Sequence, residues 1–415
     1  MPKLSVKELL NSLINKSNLS KISIFTISFA LSQAIMIAYS LVLARHLGPE
    51  LYGYYATGYS LVGLWSFFIS AGMDTWFLQR GRDIEQIRRL SGEIIKAKMM
   101  IFIIWASVLI IAINQINFIA LEFIIICVLD IWCDSLLITQ IYGLNIQQKY
   151  HKVAGIMTAS RLSRLLSALV LIGLGARNPT LFALFRFFFT LIGFFIALIT
   201  LKPKVSLNKI EITKIPYKEL LPFGLSEMFA QLYIMADISL LALLAGKIQV
   251  GLYSPATNIL SALFIIPNSL YLYLLPRFSK KKSFQGQIPD NEIILTIIGF
   301  GLVGLILLGG IALSSKWIIP IFLGKAFEQT KQLLLYLSPI IVLKSVQFGL
   351  IVIIVSSGLQ KFRLIPQFIA AVLNVTMNVI LIPYFGAGGA VLAYNVSELV
   401  LLLGYGYLVV TSKKQ

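Results

Sequence analysis

Catalysis and metal binding draw on residues that this sequence barely has. Two cysteines and two histidines are all that its 415 residues contain of those types. Cys127 and Cys133 fall on one predicted helix, turned about 240° from each other around its axis, so they neither bridge nor chelate. His46 and His151 lie in predicted connections with no nucleophile or carboxylate cluster beside them. The G-x-x-x-x-G-K-[ST] phosphate loop is also missing, so nothing suggests ATP hydrolysis, and neither a cofactor nor a metal is expected. Charge is scarce as well: 13% of the residues are charged and 58% hydrophobic, whereas roughly a quarter of a globular chain is charged.

What is present is apolar sequence in long runs. Each run is long enough to cross a hydrocarbon core about 30 Å thick at a rise of about 1.5 Å per residue. They read as helices, because an open strand in lipid leaves its backbone groups without partners. The expected spans are 22–44, 53–72, 98–115, 118–143, 153–175, 178–200, 220–245, 251–276, 292–313, 331–357, 362–383 and 387–410, which makes twelve crossings. Residues 1–21 read as a cytoplasmic amphipathic lead-in and not as a cleaved signal, since no small-residue cleavage site follows a short apolar core.

Basic residues assign the sides. Alternate connections hold Lys3, Lys7, Lys16 and Lys21; Arg80, Arg82, Arg88, Arg89, Lys96 and Lys98; Lys149 and Lys152; five lysines between 202 and 218; Arg277 and Lys280 to Lys282; Lys361 and Arg363; and Lys413 and Lys414. The other set holds only Arg45, Arg177, Lys247, Lys316, Lys325 and Lys331. Short cytoplasmic loops concentrate Lys and Arg, so both termini are expected in the cytoplasm. The net charge of +18 then belongs to loops flanking a membrane, where anionic headgroups meet it, and no nucleic-acid partner is implied.

The basic stretch 201–219 divides the chain into an N-lobe, 22–200, and a C-lobe, 220–410, with a tail at 411–415. At an offset of 198, Gly48, Gly53 and Tyr55 in "GPELYGYY" match Gly246, Gly251 and Tyr253 in "GKIQVGLYS". Six spans per half make the repeat parallel, with a pseudo-two-fold axis along the membrane normal and a cavity between two bundles. The expected fold is thus an all-α integral membrane protein of two six-helix lobes.

Ionisable residues inside spans are costly and are the first candidates for function. Arg161 and Arg164, one turn apart in "SRLSRLL", can bind phosphate oxygens through paired hydrogen bonds. Arg186 and Lys344 complete the candidate substrate contacts, and Glu122, Asp130, Asp134 and Asp237 are candidates for ion coupling or gating. Glu227 and Glu398 also lie within spans, and Glu398 reads as structural. Depth matching between neighbouring antiparallel spans offers another reading of the arginines: Asp134 lies level with Arg161, Asp130 with Arg164, and Glu122 with Arg186, so that internal ion pairs would satisfy them.

The stretch "LARHLGPELYGYYATGYSLVGLWSFFISAGMDTWFLQR" resembles the first helical hairpin of the Wzx-type polysaccharide and O-antigen repeat-unit flippases. "LPFGLSEMFAQLYIMADISLLALLAGKIQVGLYSPA", "LYLLPRFSKK" and "WIIPIFLGKAFEQTKQLLLYLSP" fit the same pattern, and the resemblance covers roughly residues 20 to 410. That group shares a superfamily with the multidrug-and-toxin (MATE) extruders and the lipid-linked peptidoglycan-precursor flippases. The resemblance implies a MATE-like fold and export of an undecaprenyl-diphosphate-linked oligosaccharide across the bacterial inner membrane. It further implies alternating access, coupling to a proton or sodium gradient, and docking of the polymerising machinery. A multidrug extruder is the nearest alternative. A glycan polymerase or glycosyltransferase fits less well, because no long periplasmic or catalytic loop is expected.

Overall fold

The computed structural model describes residues 16–80, 83–114, 119–204, 217–285 and 289–411, and among them there is no strand. The first half comprises α1 (Lys16–Leu64), the short α2 (Phe67–Ser70) and α3 (Met73–Arg80), α4 (Ile84–Asn114), α5 (Leu121–Ile146), α6 (Tyr150–Gly173) and α7 (Pro179–Leu201). The second comprises α8 (Tyr217–Ala245), α9 (Lys247–Leu263), α10 (Ile265–Gln285), α11 (Asp290–Phe322), α12 (Glu328–Leu337), α13 (Pro339–Ser356), α14 (Leu364–Phe385) and α15 (Ala387–Thr411). Nine stretches among the described residues are long and apolar enough to cross a membrane. Most of the expected N-terminal lead-in, the middle of the basic stretch 201–219 and the tail lie outside the described residues.

α1 is two helices. At Gly48 the backbone takes φ 75° and ψ 172°, a conformation open to glycine, and Pro49 starts the second arm with a φ already set for helix. The arms fold back on each other: the hydroxyls of Tyr39 and Tyr55 lie 2.9 Å apart. In a continuous helix sixteen residues would separate them by about 24 Å. The second half repeats the device. Gly246 has φ 84° and ψ 170°, and Tyr253 donates to Asp237 Oδ2 at 3.1 Å. Tyr39 and Tyr55 moved by 198 residues become Asp237 and Tyr253, the offset read from the sequence.

The two halves meet about this repeat. A Cβ on Gly53 would collide with the carbonyl of Lys247, and one on Gly251 with the carbonyl of Pro49, which are equivalent contacts under the same offset. Glycine here admits backbone to backbone, the way helices pack tightly where lipid offers no hydrophobic drive. One large apolar cluster joins the halves at this end, from Leu43, Tyr55 and Phe123 to Val250, Leu334 and Ile382. Toward the opposite, basic end the cores separate. One cluster, with Phe77, Ile94, Leu137 and Phe194, belongs almost wholly to the first half; another, with Ile293, Leu350 and Tyr405, to the second. The bundles are fused at one end; at the other their cores are distinct but their backbones touch again where Gly72 meets Gly224, and a cleft lies between.

Outward faces stay apolar: Ile104, Leu174, Ile306 and Leu313 are each more than 70% exposed, as side chains meeting lipid are. At the basic end Lys149 sits near Lys152 and Arg88, and its ammonium is held below the usual lysine range by desolvation and by those like charges. Where the sequence suggested single spans, three are broken: the span 53–72 divides at Trp65 and Ser66, between α1 and α2. The span 251–276 divides at Phe264, and the span 331–357 divides at Ser338, where Pro339 opens a new helix. The span expected at 98–115 starts earlier, at Ile84, which moves Arg88, Arg89, Lys96 and Lys98 from a loop onto a helix.

Candidate functional site

The cleft holds a cavity of about 780 Å³ walled by both halves. It runs along the first half from Tyr52 to Ser66 and along the second from Ser254 to Asn268, a length of about 21 Å on each side. The Gly48/Gly246 closure seals one end. Next to that closure, Asn258 Nδ2 donates to Ser40 Oγ at 2.7 Å and to Tyr52 OH at 3.2 Å. Ser60 Oγ lies 2.7 Å from Ser239 Oγ. Both sets of bonds cross between the halves.

Of the described residues lining this cavity only Arg186 is charged. Its Nε lies 2.8 Å from Asp130 Oδ2, and its guanidinium stacks 4.0 Å from the centre of the Tyr59 ring. Asp130 is fully buried and also accepts from Thr190 Oγ1 at 2.6 Å. Beside the central cavity the first half contains a smaller one of about 240 Å³, lined by Arg161, Arg164, Asp134 and Gln33; Gln33 borders both. Here Arg164 Nη2 meets Asp134 Oδ1 at 2.8 Å. Arg161 Nη1 donates to Gln33 Oε1 at 2.9 Å and Ser32 Oγ at 3.3 Å. Its hydrogen bonds therefore go to neutral groups.

Depth matching thus found that Asp130 and Asp134 hold arginines but assigned them the wrong ones. Asp134 takes Arg164 instead of Arg161, and Asp130 takes Arg186 instead of Arg164. Equal depth says nothing of rotation about a helix, and each residue turns the chain by about 100°. Asp130 faces α7, which packs closely on α5. Glu122, expected level with Arg186, is exposed near the start of α5 and has no part in that pair.

In the second half Lys344 Nζ pairs with Glu398 Oε1 at 2.6 Å, and Gln347 Nε2 donates to Glu398 Oε2 at 2.7 Å. Asp237 is buried; Asn378 Nδ2 donates to its Oδ1 at 2.6 Å and Tyr253 to its Oδ2. Neither Lys344 nor Asp237 lines the central cavity.

Two features escaped sequence reasoning. Lys98, counted with the loops, is fully buried and donates to Asp74 Oδ2 at 2.6 Å, to Ser135 and to Thr139. The early start of α4 was the missing clue. Glu227 reaches across the cleft at the basic end, accepting from Thr75 Oγ1 at 2.9 Å and from the Gly72 backbone N–H at 3.2 Å. Its position inside a span was visible, but its partner in the other half was not.

Known structures share this architecture. A structure titled lipid II flippase MurJ, inward closed conformation, superposes with a TM-score of 0.72 at 14% identity, covering 93% of this chain and 87% of that one. An inward-facing multidrug resistance MATE family transporter of the MOP superfamily gives 0.72 at 14% identity, covering 92% and 96%. An outward-facing MATE transporter gives 0.63 at 14%, covering 95% and 96%. The MATE-like helical fold read from the sequence is therefore the observed one, in a multi-pass membrane protein. No curated protein matches the sequence. The family described as polysaccharide biosynthesis protein matches residues 42–332, well over half of the chain, and the protein belongs to that family.

Proposed function

We propose that the protein is a flippase that carries an undecaprenyl-diphosphate-linked oligosaccharide from the cytoplasmic to the periplasmic leaflet of a bacterial inner membrane. The prenyl tail stays in the bilayer while the sugar-diphosphate head passes between the two halves. The observation that carries this reading is Arg161. It is a cation within the membrane-embedded first half, its hydrogen bonds go to neutral groups, and Gln33 links its small cavity to the interlobe cleft. A guanidinium placed there replaces the water that a diphosphate loses on leaving the interface. Arg164, Arg186 and Lys344, each held by a carboxylate, fix the helices around the path of that head group. The separate cores at the basic end, the cytoplasmic one by charge, support loading from the cytoplasm once the Gly72–Gly224 and Thr75–Glu227 contacts part, and rocking of the halves would then expose the head to the other side. Coupling to a proton gradient belongs to the same proposal, with Asp130 and Asp134 as the groups whose protonation would release their arginines.

Reconstitution tests this. In proteoliposomes containing a defined lipid-diphosphate oligosaccharide, the protein transfers the head group between leaflets, faster with a pH gradient. Arg161→Gln lowers the transfer at least about tenfold, the cost of one charge-assisted contact, with little change in thermal stability. Asp130→Asn and Asp134→Asn weaken the gradient dependence. Full transfer by Arg161→Gln removes the arginine from the mechanism, and transfer unaffected by the gradient removes the coupling.

A further inference from the structure

The chemistry of the interlobe cavity goes further than its position. Its side chains are of two kinds. Ser40, Tyr52, Ser60, Asn258, Asn268 and Gln231 offer neutral donors and acceptors from both halves, while Met36, Met235, Phe264, Ile265 and Phe348 offer apolar surface. The one charge, Arg186, is cancelled by Asp130 2.8 Å away and capped on one face by the Tyr59 ring. Among the described residues the lining is therefore electrically neutral, rich in hydroxyl and amide groups, and amphipathic.

A sugar ring is amphipathic in the same manner, with hydroxyls at its edges and C–H groups on its faces. A volume of about 780 Å³ lies inside the roughly 300–1,000 Å³ of small-molecule sites, enough for a short oligosaccharide and not for a polymer. An acidic sugar would bring a second negative charge beside the buried Asp130, with Arg186 already paired, and would lose its water without gaining a partner. A neutral sugar exchanges water hydrogen bonds for those of the Asn258, Ser40 and Tyr52 cluster at little net cost.

We infer that the interlobe cavity is a subsite for uncharged sugars, with Asn258, Ser40 and Tyr52 as its specificity-determining hydrogen-bonding cluster, separate from the anion contact at Arg161. The protein thereby selects repeat units whose sugars in the cavity carry no charge. This rests on the flippase reading and adds the sugar class to it.

Three soluble probes test it on the full-length protein purified in detergent: a short-chain prenyl diphosphate, the same lipid carrying a trisaccharide of neutral hexoses, and the same trisaccharide with one hexose replaced by its uronic acid. Affinities are measured by calorimetry. The neutral glycan binds about tenfold tighter than the sugar-free lipid, as a few added hydrogen bonds allow, and the acidic one binds no tighter than the sugar-free lipid. Asn258→Ala and Ser40→Ala each remove about three- to tenfold of the sugar-dependent gain and leave the sugar-free lipid unchanged. Arg161→Gln weakens all three. Asn258→Asp, which keeps the side-chain shape, widens the gap between neutral and acidic probes, a readout that holds if the alanine variants unfold. Equal or tighter binding of the acidic glycan overturns the subsite while leaving the flippase reading intact, as does a uniform loss for Asn258→Ala. Failure of every probe to bind the wild-type protein overturns both.

Discussion

Asp130 and Arg186 hold each other inside the first half, and neither is satisfied without the other. Asp130 is fully buried and bonded to Thr190, so removal of the guanidinium leaves a carboxylate that water cannot reach. Breaking one side of such a pair costs about 3–5 kcal/mol, whereas replacing both with neutral groups of similar shape costs far less. Arg186→Gln is therefore expected to lower the thermal unfolding temperature of the detergent-purified protein by several degrees, and Arg186→Gln with Asp130→Asn to recover most of the loss. A double variant no more stable than the single one would show that the pair is not the unit of stability. Arg161 differs in kind: its hydrogen bonds go to Gln33 and Ser32, while Asp134, bonded to Arg164, acts on it through space.

Among the elements, the Gly48 and Gly246 hairpins were the most legible in the sequence. Gly48, Gly53 and Tyr55 matched Gly246, Gly251 and Tyr253 at one offset and so marked the repeat; the positive φ at the first pair and the close approach at the second are what the structure adds. Both follow from backbone conformation and steric space, which local sequence encodes. Helix rotation is not encoded that way. The partners of Asp130 and Asp134, the burial of Lys98 against Asp74 and the reach of Glu227 to Thr75 each depend on which face a helix turns to its neighbour, and periodicity in an evenly apolar span leaves that face unmarked. The breaks at Phe264 and Ser338 were missed because apolar composition runs on through them. The closure makes its own prediction. Gly53→Ala and Gly251→Ala each set a methyl against a carbonyl of the other half, so each should loosen the sealed end. Maleimide labelling of a cysteine placed at Asn258 would rise in both variants relative to the cysteine-bearing parent. Unchanged labelling in both would mean that the halves part elsewhere.

For the molecule as a whole, one cavity serves two sides only if the fused end can open. That end is held by the paired glycine contacts, by the shared apolar core and by an ion pair at its rim, Lys247 Nζ to Glu50 Oε1 at 2.9 Å. Both partners of this pair are partly exposed, so it contributes about 1 kcal/mol or less and does not itself keep the end shut. Its value is positional: Glu50 belongs to the first half and Lys247 to the second, directly beside the backbone contacts that must separate. Glu50→Cys with Lys247→Cys places two thiols across the seam, while the native Cys127 and Cys133 are buried and out of reach. A short bismaleimide joining the new pair should stop head-group transfer in proteoliposomes, and either single cysteine treated alike should transfer at the uncrosslinked rate. Joining the seam leaves the contacts at the basic end, Gly72 with Gly224 and Thr75 with Glu227, free to part, so binding of a lipid-diphosphate oligosaccharide should survive the cross-link. Loss of transfer with binding retained is the signature of a carrier whose halves must part at the Gly48 and Gly246 turns; transfer that continues through the linked seam would mean that the head group leaves by another route.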